Sequence, residues 1–181
     1  MLRRSSESTF LPDAYVFPGG TLEDLDLTTS EQLRGVGDAR LHDDCSLDVR
    51  TQRGLLATAF REVFEECGVL LTDVGSLVLF SHWVTPQTER RRFEVHFFLA
   101  RIPPGQYPVA DARETHDGMW IAPKDALARG DDGSLLLIYP TRKHLERVAA
   151  FATVDALLNF ARSKPILTVL APLPPSLEGI W

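Results

Sequence analysis

The sequence predicts a single α+β domain spanning residues 1–181. Three observations support this fold class. One long segment has the apolar spacing of an amphipathic helix, several later segments are rich in β-forming residues, and further helical patterns follow them. A chain of 181 residues is long enough for one hydrophobic core and short for two.

The first part of the chain predicts a loop and a short strand, followed by an insertion. Residues 9–20 end in Phe17-Pro18-Gly19-Gly20, which is a strong turn signal. From Thr21 to Gly54 the chain is polar and irregular, with one short helix expected near Ser30–Leu33. This segment is either a lid over a site or a solvated surface excursion.

The best-defined element is a helix over Leu55–Cys67. Gly68 stands where a left-handed C-cap is expected, and the apolar residues Val69–Leu71 follow it. Apolar residues recur at intervals of three and four along the helix, namely Leu56, Ala59, Phe60, Val63 and Cys67, with Leu55 and Phe64 widening the stripe.

Strands and shorter helices complete the predicted domain. Alternating or wholly apolar runs predict strands at Ser76–Trp83, Arg92–Arg101 and Gly118–Ile121. A proline in the first turn predicts a helix over Pro123–Arg129. Two C-terminal helices are expected within residues 141–163, the second with Thr153 as its N-cap. Because residues 164–181 contain four prolines, we expect an extended tail there.

Composition excludes several classes of protein. The formal net charge of −6 disfavours bulk attraction to nucleic acid or to an anionic membrane. Neither a secretory signal nor a membrane-spanning stretch is visible. The two cysteines match no zinc or disulfide spacing, so a cytoplasmic location is expected. The five histidines are scattered, and each is interpreted as a satisfied or surface residue.

Three glutamates on the central helix form the strongest chemical pattern. Glu62, Glu65 and Glu66 stand at i, i+3 and i+4, so their carboxylates share one face of the helix. Carboxylates held this closely repel one another, and a hard divalent cation cancels that repulsion. Arg61, four residues before Glu65, can orient the cluster. The alternative is an acidic, solvated face of an amphipathic helix.

The segment Arg61–Val69 resembles the second half of the Nudix box, Arg-Glu-apolar-x-Glu-Glu-x-Gly-apolar, without a mismatch. Phe17-Pro18-Gly19-Gly20 is similar to the Gly-Gly turn that begins the box. The resemblance implies the Nudix fold, a mixed β-sheet sandwiched between α-helices (α/β/α). It also implies Mg²⁺ or Mn²⁺ as cofactor and hydrolysis of a phosphoanhydride bond in a small-molecule diphosphate. The metal ligands would be Glu62, Glu65, Glu66 and the carbonyl of Gly19, with Arg61 as positioning residue.

The box is interrupted in this chain. Gly20 and Arg61 are 41 positions apart where the usual box has fourteen, so 27 extra residues intervene. The box halves are residues 17–26 and 55–69, and the insertion is about residues 27–54. For the outlying glutamate of the box, Glu23 and Asp26 are the nearest candidates. This interruption resembles the Nudix branch of peroxisomal acyl-coenzyme A diphosphatases and their bacterial relatives, which implies coenzyme A or acyl-coenzyme A as substrate.

Several roles stay open at the level of sequence. Either Glu114, in a later loop, or Glu62 is the general base, and a solvated loop is the alternative for Glu114. Arg90–Arg92 either grips a phosphate or protects a strand edge. Four aromatic residues can stack a base, although aromatics in strands more often belong to the core: Trp83, Phe97, Phe98 and Trp120.

Function and assembly also have alternatives. A nucleotide sugar or a dinucleotide is the second substrate class, and a non-catalytic nucleotide-binding Nudix module or a purely structural domain would be a different kind of protein. Only Met1–Arg4 are available for a strand at the start of the chain. A trimmed or misassigned start, or an edge completed by the partner subunit of a homodimer, would account for this.

Overall fold

The computed structural model describes residues 1–30, 47–73, 76–110, 115–172 and 181. In this part of the chain no helix is both long and apolar enough to cross a membrane. The elements in chain order are β1 (Leu2–Arg4), β2 (Tyr15–Val16), α1 (Asp24–Thr29), α2 (Val49–Cys67), β3 (Val78–Val84), β4 (Glu94–Leu99), β5 (Thr115–Gly118), α3 (Pro123–Asp131), α4 (Tyr139–Ala149), α5 (Val154–Ser163) and β6 (Thr168–Leu170).

One compact unit comprises Met1–Thr21, Ala59–Leu71 and Ile102–Ala152. Its sheet is antiparallel with the strand order β2-β1-β5, and α3 packs against α4. Strand β1 is the central strand of this sheet. The few residues at the start of the chain therefore do form a strand. One cluster of buried residues in the core of this unit comprises Tyr15, Ala126, Leu135 and Leu145.

A second compact unit comprises Leu22–Thr58, Thr72–Arg101 and Thr153–Trp181. Its sheet has the order β4-β3-β6, with β3 antiparallel to β4 and parallel to β6, and α5 packs against β3. Trp181 is 3% exposed. Its ring lies 5.1 Å from that of Trp83, nearly perpendicular to it, and 6.2 Å from that of Phe80.

Helix α2 contributes residues to both units and begins six residues earlier than the apolar pattern predicted. The segment Val49–Gly54 is polar, so hydrophobic spacing does not mark it as helical. The overlooked signal is Asp48, whose carboxylate accepts the Thr51 N–H at 3.0 Å in the manner of an N-cap. Hydrogen bonds to Thr51 also hold the pKa of Asp48 below its usual value. The C-terminus is as predicted, since Gly68 has φ +66° and its N–H donates to Phe64 O.

One short element was not predicted, and another lies away from its predicted position. Helix α1 (Asp24–Thr29) was not expected from the sequence, and Ser30 is its C-cap. The helix predicted near Ser30–Leu33 stays a prediction, because residues 31–33 lie outside the described ranges. The predicted strand Gly118–Ile121 is instead Thr115–Gly118. Its partner β1 has only three residues, so backbone pairing ends soon after Gly118.

The remaining elements agree with the sequence analysis within a few residues. Strands β3 and β4 and helices α3 to α5 occupy the predicted segments. Thr153 is the N-cap of α5, because its hydroxyl accepts the Ala156 N–H at 3.2 Å. The tail contains the short strand β6, and residues 173–180 lie outside the described part of the chain.

Candidate metal and active site

The glutamate cluster lies on a largely buried face of α2. Glu62 and Glu66 are each 8% exposed, whereas the side chain of Glu65 is 55% exposed. A solvated acidic face would leave all three carboxylates in water. Two of the three are withdrawn from it, and a buried carboxylate is unfavourable unless hydrogen bonds or a cation compensate for the lost hydration.

Arg61 joins two of these carboxylates through its guanidinium group. Its Nη1 lies 2.7 Å from Glu62 Oε1 and 2.9 Å from Glu65 Oε2, and its Nη2 donates to Thr21 O at 3.1 Å. The planar fork of arginine makes such simultaneous contacts, which the point charge of lysine cannot reproduce. The sequence predicted that Arg61 contacts Glu65; the bonds to Glu62 and to the Thr21 carbonyl were not foreseen.

The Gly-Gly turn meets the same cluster from a distant part of the chain. The N–H of Gly19 donates to Glu66 Oε2 at 2.9 Å. Gly20 faces Glu62 so closely that a Cβ atom at this position would lie 2.0 Å from Glu62 Oε1. The resemblance to the Nudix box implies that the carbonyl of Gly19 binds metal. The contact observed is through its N–H, so the role of the carbonyl stays a prediction.

The two candidates for the outlying acid of the box, Glu23 and Asp26, lie at the start of α1. Asp26 is 2% exposed, and its Oδ2 accepts from the Thr58 hydroxyl at 2.9 Å and from the N–H of Glu23 at 3.0 Å. These bonds fix the start of α1 and join it to α2, within the second unit. Glu114, the candidate base from a later loop, lies outside the described residues.

The other candidate side chains differ in exposure. Trp83 is buried in the core, whereas Trp120 is 69% exposed. Phe97 and Phe98 are half-buried on β4. Arg90–Arg92 is exposed and lies just before β4, an edge strand of its sheet. Its position is compatible with both the phosphate-binding and the edge-protecting interpretation.

The donor set of the cluster suits a hard divalent cation. Three carboxylates and a single guanidinium leave this group of side chains with an excess of negative charge. Oxygen ligands of this kind are those that Mg²⁺ and similar cations prefer. The arrangement can therefore hold a cation against an anionic diphosphate, which an acidic site alone would repel.

Comparison with known proteins supports the Nudix fold. No protein-family model matches the chain. It is 24% identical to a putative nudix hydrolase 7 of Caenorhabditis elegans, over 92% of this chain and 61% of that protein. The crystal structure of a NUDIX hydrolase from Alicyclobacillus acidocaldarius is similar with a TM-score of 0.72 and 24% identity, over 87% of this chain and 86% of that one. The chain thus has the Nudix fold of the α+β class, and it spans about three fifths of the length of the nematode relative.

Proposed function

We propose that this protein is a metal-dependent Nudix pyrophosphohydrolase, formed by one Nudix domain over residues 1–181, that cleaves a phosphoanhydride bond in a small nucleoside diphosphate derivative. The observation that carries the proposal is the contact between the two box halves. Glu62 and Glu66 are withdrawn from water, and they face Gly20 and Gly19 respectively. The likeness to hydrolases of this fold points to the same chemistry.

The proposed roles of the residues rest on the sequence resemblance and are supported by their contacts. Glu62, Glu65 and Glu66, with the carbonyl of Gly19, would hold Mg²⁺ or Mn²⁺. A divalent metal at such a site activates water and neutralises charge on the attacking and leaving oxygens. Arg61 keeps the carboxylates of Glu62 and Glu65 in a fixed orientation. The N–H of Gly19 does the same for Glu66.

Two residues are proposed as the general base. Glu62 is the candidate on the box helix; it is buried, and its Oε1 lies 2.7 Å from Arg61 Nη1. Glu114 is the candidate from the later loop. A comparison of the pH–rate profiles of Glu62→Gln and Glu114→Gln would separate them, since loss of the base removes the acidic limb of the profile.

Coenzyme A or an acyl-coenzyme A is the substrate that we propose first. The support is the sequence resemblance of the interrupted box, together with the three exposed arginines at Arg90–Arg92, which suit a phosphate such as the 3′-phosphate of coenzyme A. In this proposal the residues of the box would contact the diphosphate and not the groups attached to it, so nucleotide sugars and dinucleotides belong in the same test.

The test is product analysis by liquid chromatography. The protein is incubated with coenzyme A, a nucleotide sugar and a dinucleoside polyphosphate, each with and without Mn²⁺. We expect metal-dependent hydrolysis of coenzyme A to 3′,5′-ADP and 4′-phosphopantetheine. Hydrolysis of another compound alone would retain the chemistry and exclude the coenzyme A assignment. No product from any compound in a folded protein would contradict the enzymatic proposal and favour a nucleotide-binding module.

The variant Glu65→Gln tests whether the activity depends on the glutamate cluster of α2. Glu65→Gln should reduce turnover by more than the roughly 10–100-fold that follows from loss of an outer partner of a metal ligand. The matched control is Glu146→Gln, because Glu146 is also a helical glutamate paired with a cation, Lys143, at 2.9 Å. Turnover by Glu65→Gln equal to that of the control would remove Glu65 from the site.

A further inference from the structure

Two histidines and a glutamate meet on one face of the β3–β4 hairpin. His82 of β3 lies directly opposite His96 of β4. Glu94 precedes His96 by two residues, so the two side chains project from the same face of the strand. Their three ligand atoms all lie within 4.8 Å of one another. None of these residues belongs to the Nudix box.

The contacts within this group, the His82–Glu94–His96 cluster, are close. His82 Nε2 lies 2.9 Å from Glu94 Oε1. The imidazole rings of His82 and His96 are stacked, with centroids 4.3 Å apart and 12° between their planes. His82 is 7% exposed, His96 is half-buried, and the side chain of Glu94 is 55% exposed. One side of the cluster is thus in protein and the other faces solvent.

We propose that the His82–Glu94–His96 cluster binds a zinc ion, separately from the cation held by the box. Two imidazole nitrogens and one carboxylate oxygen form a ligand set that zinc accepts, with water in a fourth position. Mg²⁺ and Ca²⁺ prefer oxygen ligands and would bind here weakly. Two ligands at about 2.1 Å from a tetrahedral zinc ion lie about 3.4 Å apart, within the spread of the ligand atoms here.

A third strand fixes the orientation of the first ligand. His82 Nδ1 lies 3.0 Å from the hydroxyl of Thr168 on β6. Hydrogen bonds of this kind at the second ring nitrogen set the tautomer and the orientation of histidine ligands. The bond directs Nε2 of His82 towards Glu94. Zinc bound by the cluster would cross-link β3 to β4, and β6 would support the site.

Binding requires one ring to turn, because nearly parallel rings cannot both direct a lone pair at one ion. His82 is buried and held by Thr168. His96 is half-buried and lies on β4, an edge strand of the sheet. We therefore expect His96 and Glu94 to adjust while His82 stays in place.

The test is a titration of the whole protein with Zn²⁺ followed by nuclear magnetic resonance of the histidine ring nitrogens. The box contains no histidine, so zinc bound there leaves these signals in place. We expect the ring-nitrogen signals of two of the five histidines, assigned to His82 and His96, to shift as zinc is added. The same titration with Mg²⁺ should leave both rings unchanged.

Two variants on the same hairpin make the test specific. Glu94→Gln should weaken zinc binding at the rings by at least the roughly tenfold caused by loss of an outer partner of a metal ligand. Glu89→Gln alters an exposed glutamate of the connecting loop and should bind zinc as the wild type does. If neither ring shifts, or if Glu94→Gln and Glu89→Gln bind zinc equally, the proposal is wrong and the cluster is an ordinary cross-strand contact. Neither result bears on hydrolysis by the box.

Discussion

At Gly20, the absence of a side chain decides where the carboxylate of Glu62 lies. The atoms nearest to a methyl group here would be those of the Glu62 carboxylate, the end of a flexible side chain, so the carboxylate would shift away from its position beside Arg61. The backbone of Gly20 is outside the left-handed region, and alanine is therefore compatible with its conformation. The requirement for glycine here is one of space at the site and not of backbone geometry.

Gly20→Ala should therefore reduce activity much more than stability. Displacement of a catalytic group by about 1 Å can cost about 10²-fold in rate. The free energy of unfolding should change little, since alanine also restricts the unfolded chain. Steady-state kinetics and urea unfolding would measure both effects. The control is Gly118→Ala, whose Cβ would meet no atom closer than 3.3 Å. Full activity in Gly20→Ala would show that the position of Glu62 is unimportant for turnover.

Residue identities predicted the box cluster but not the His82–Glu94–His96 cluster. Glu62, Glu65 and Glu66 are close in sequence on one helix, where a fixed period of 3.6 residues determines which side chains meet. His82 and His96 meet only because β3 and β4 pair in a particular register, and that register depends on turn geometry and packing. Similarly, Asp26 was a candidate for the outlying glutamate of the box by its position in the sequence, which does not reveal its hydrogen bond to Thr58.

At the scale of the element, the C-terminus of α2 directs the chain that follows the glutamate cluster. Gly68 takes φ +66°, and a Cβ atom there would meet no atom within 4 Å. Any penalty for a side chain is thus conformational and not steric contact with neighbours. Val69 and Leu71, just beyond the cap, are buried. The cap therefore sets the direction in which the chain leaves the helix that carries the glutamates.

Gly68→Ala should lower the free energy of unfolding by about 1–2 kcal/mol, the cost of the left-handed conformation for a residue with a Cβ atom. Urea unfolding is the appropriate measurement. Gly68→Asn provides the comparison. Asparagine tolerates this conformation better than alanine, so the free energy of unfolding should fall less. Equal stability of the wild type and Gly68→Ala would contradict this account of the cap.

Elements with a complete periodic pattern were predicted well, and short elements were not. Strands β3 and β4 and the C-terminal helices have enough apolar residues for their type to be evident. Helix α1 has six residues and β5 has four, so each is defined by its partners more than by its own sequence. Their positions follow from a bond to Thr58 and from pairing with β1, which a linear pattern does not contain.

At the scale of the whole molecule, the core of the second unit includes a residue far from its partners in sequence. Trp181 packs against Trp83 and Phe80 of β3 and is almost fully buried. Large aromatic side chains contribute heavily to core stability because each buries a large apolar area. Trp181 is therefore part of the folded core and not of a solvated tail.

Trp181→Ala should destabilise the protein by about 3–5 kcal/mol, the usual cost of replacing a buried aromatic side chain with alanine. Trp120→Ala is the matched control, since Trp120 is 69% exposed. This substitution should change the free energy of unfolding by no more than about 0.5 kcal/mol. Urea unfolding of both variants measures the difference. Equal stabilities would mean that Trp181 does not pack in solution as it does in the structure.

The contact between Trp83 and Trp181 also has an optical consequence. Two indole rings 5.1 Å apart are close enough for their electronic transitions to couple. Such coupling splits the absorption into two components of opposite circular dichroism, and the split signal disappears when the rings separate. The split circular dichroism signal would therefore report, without an added label, whether Trp181 is packed against β3. The exposed ring of Trp120 would not contribute to it.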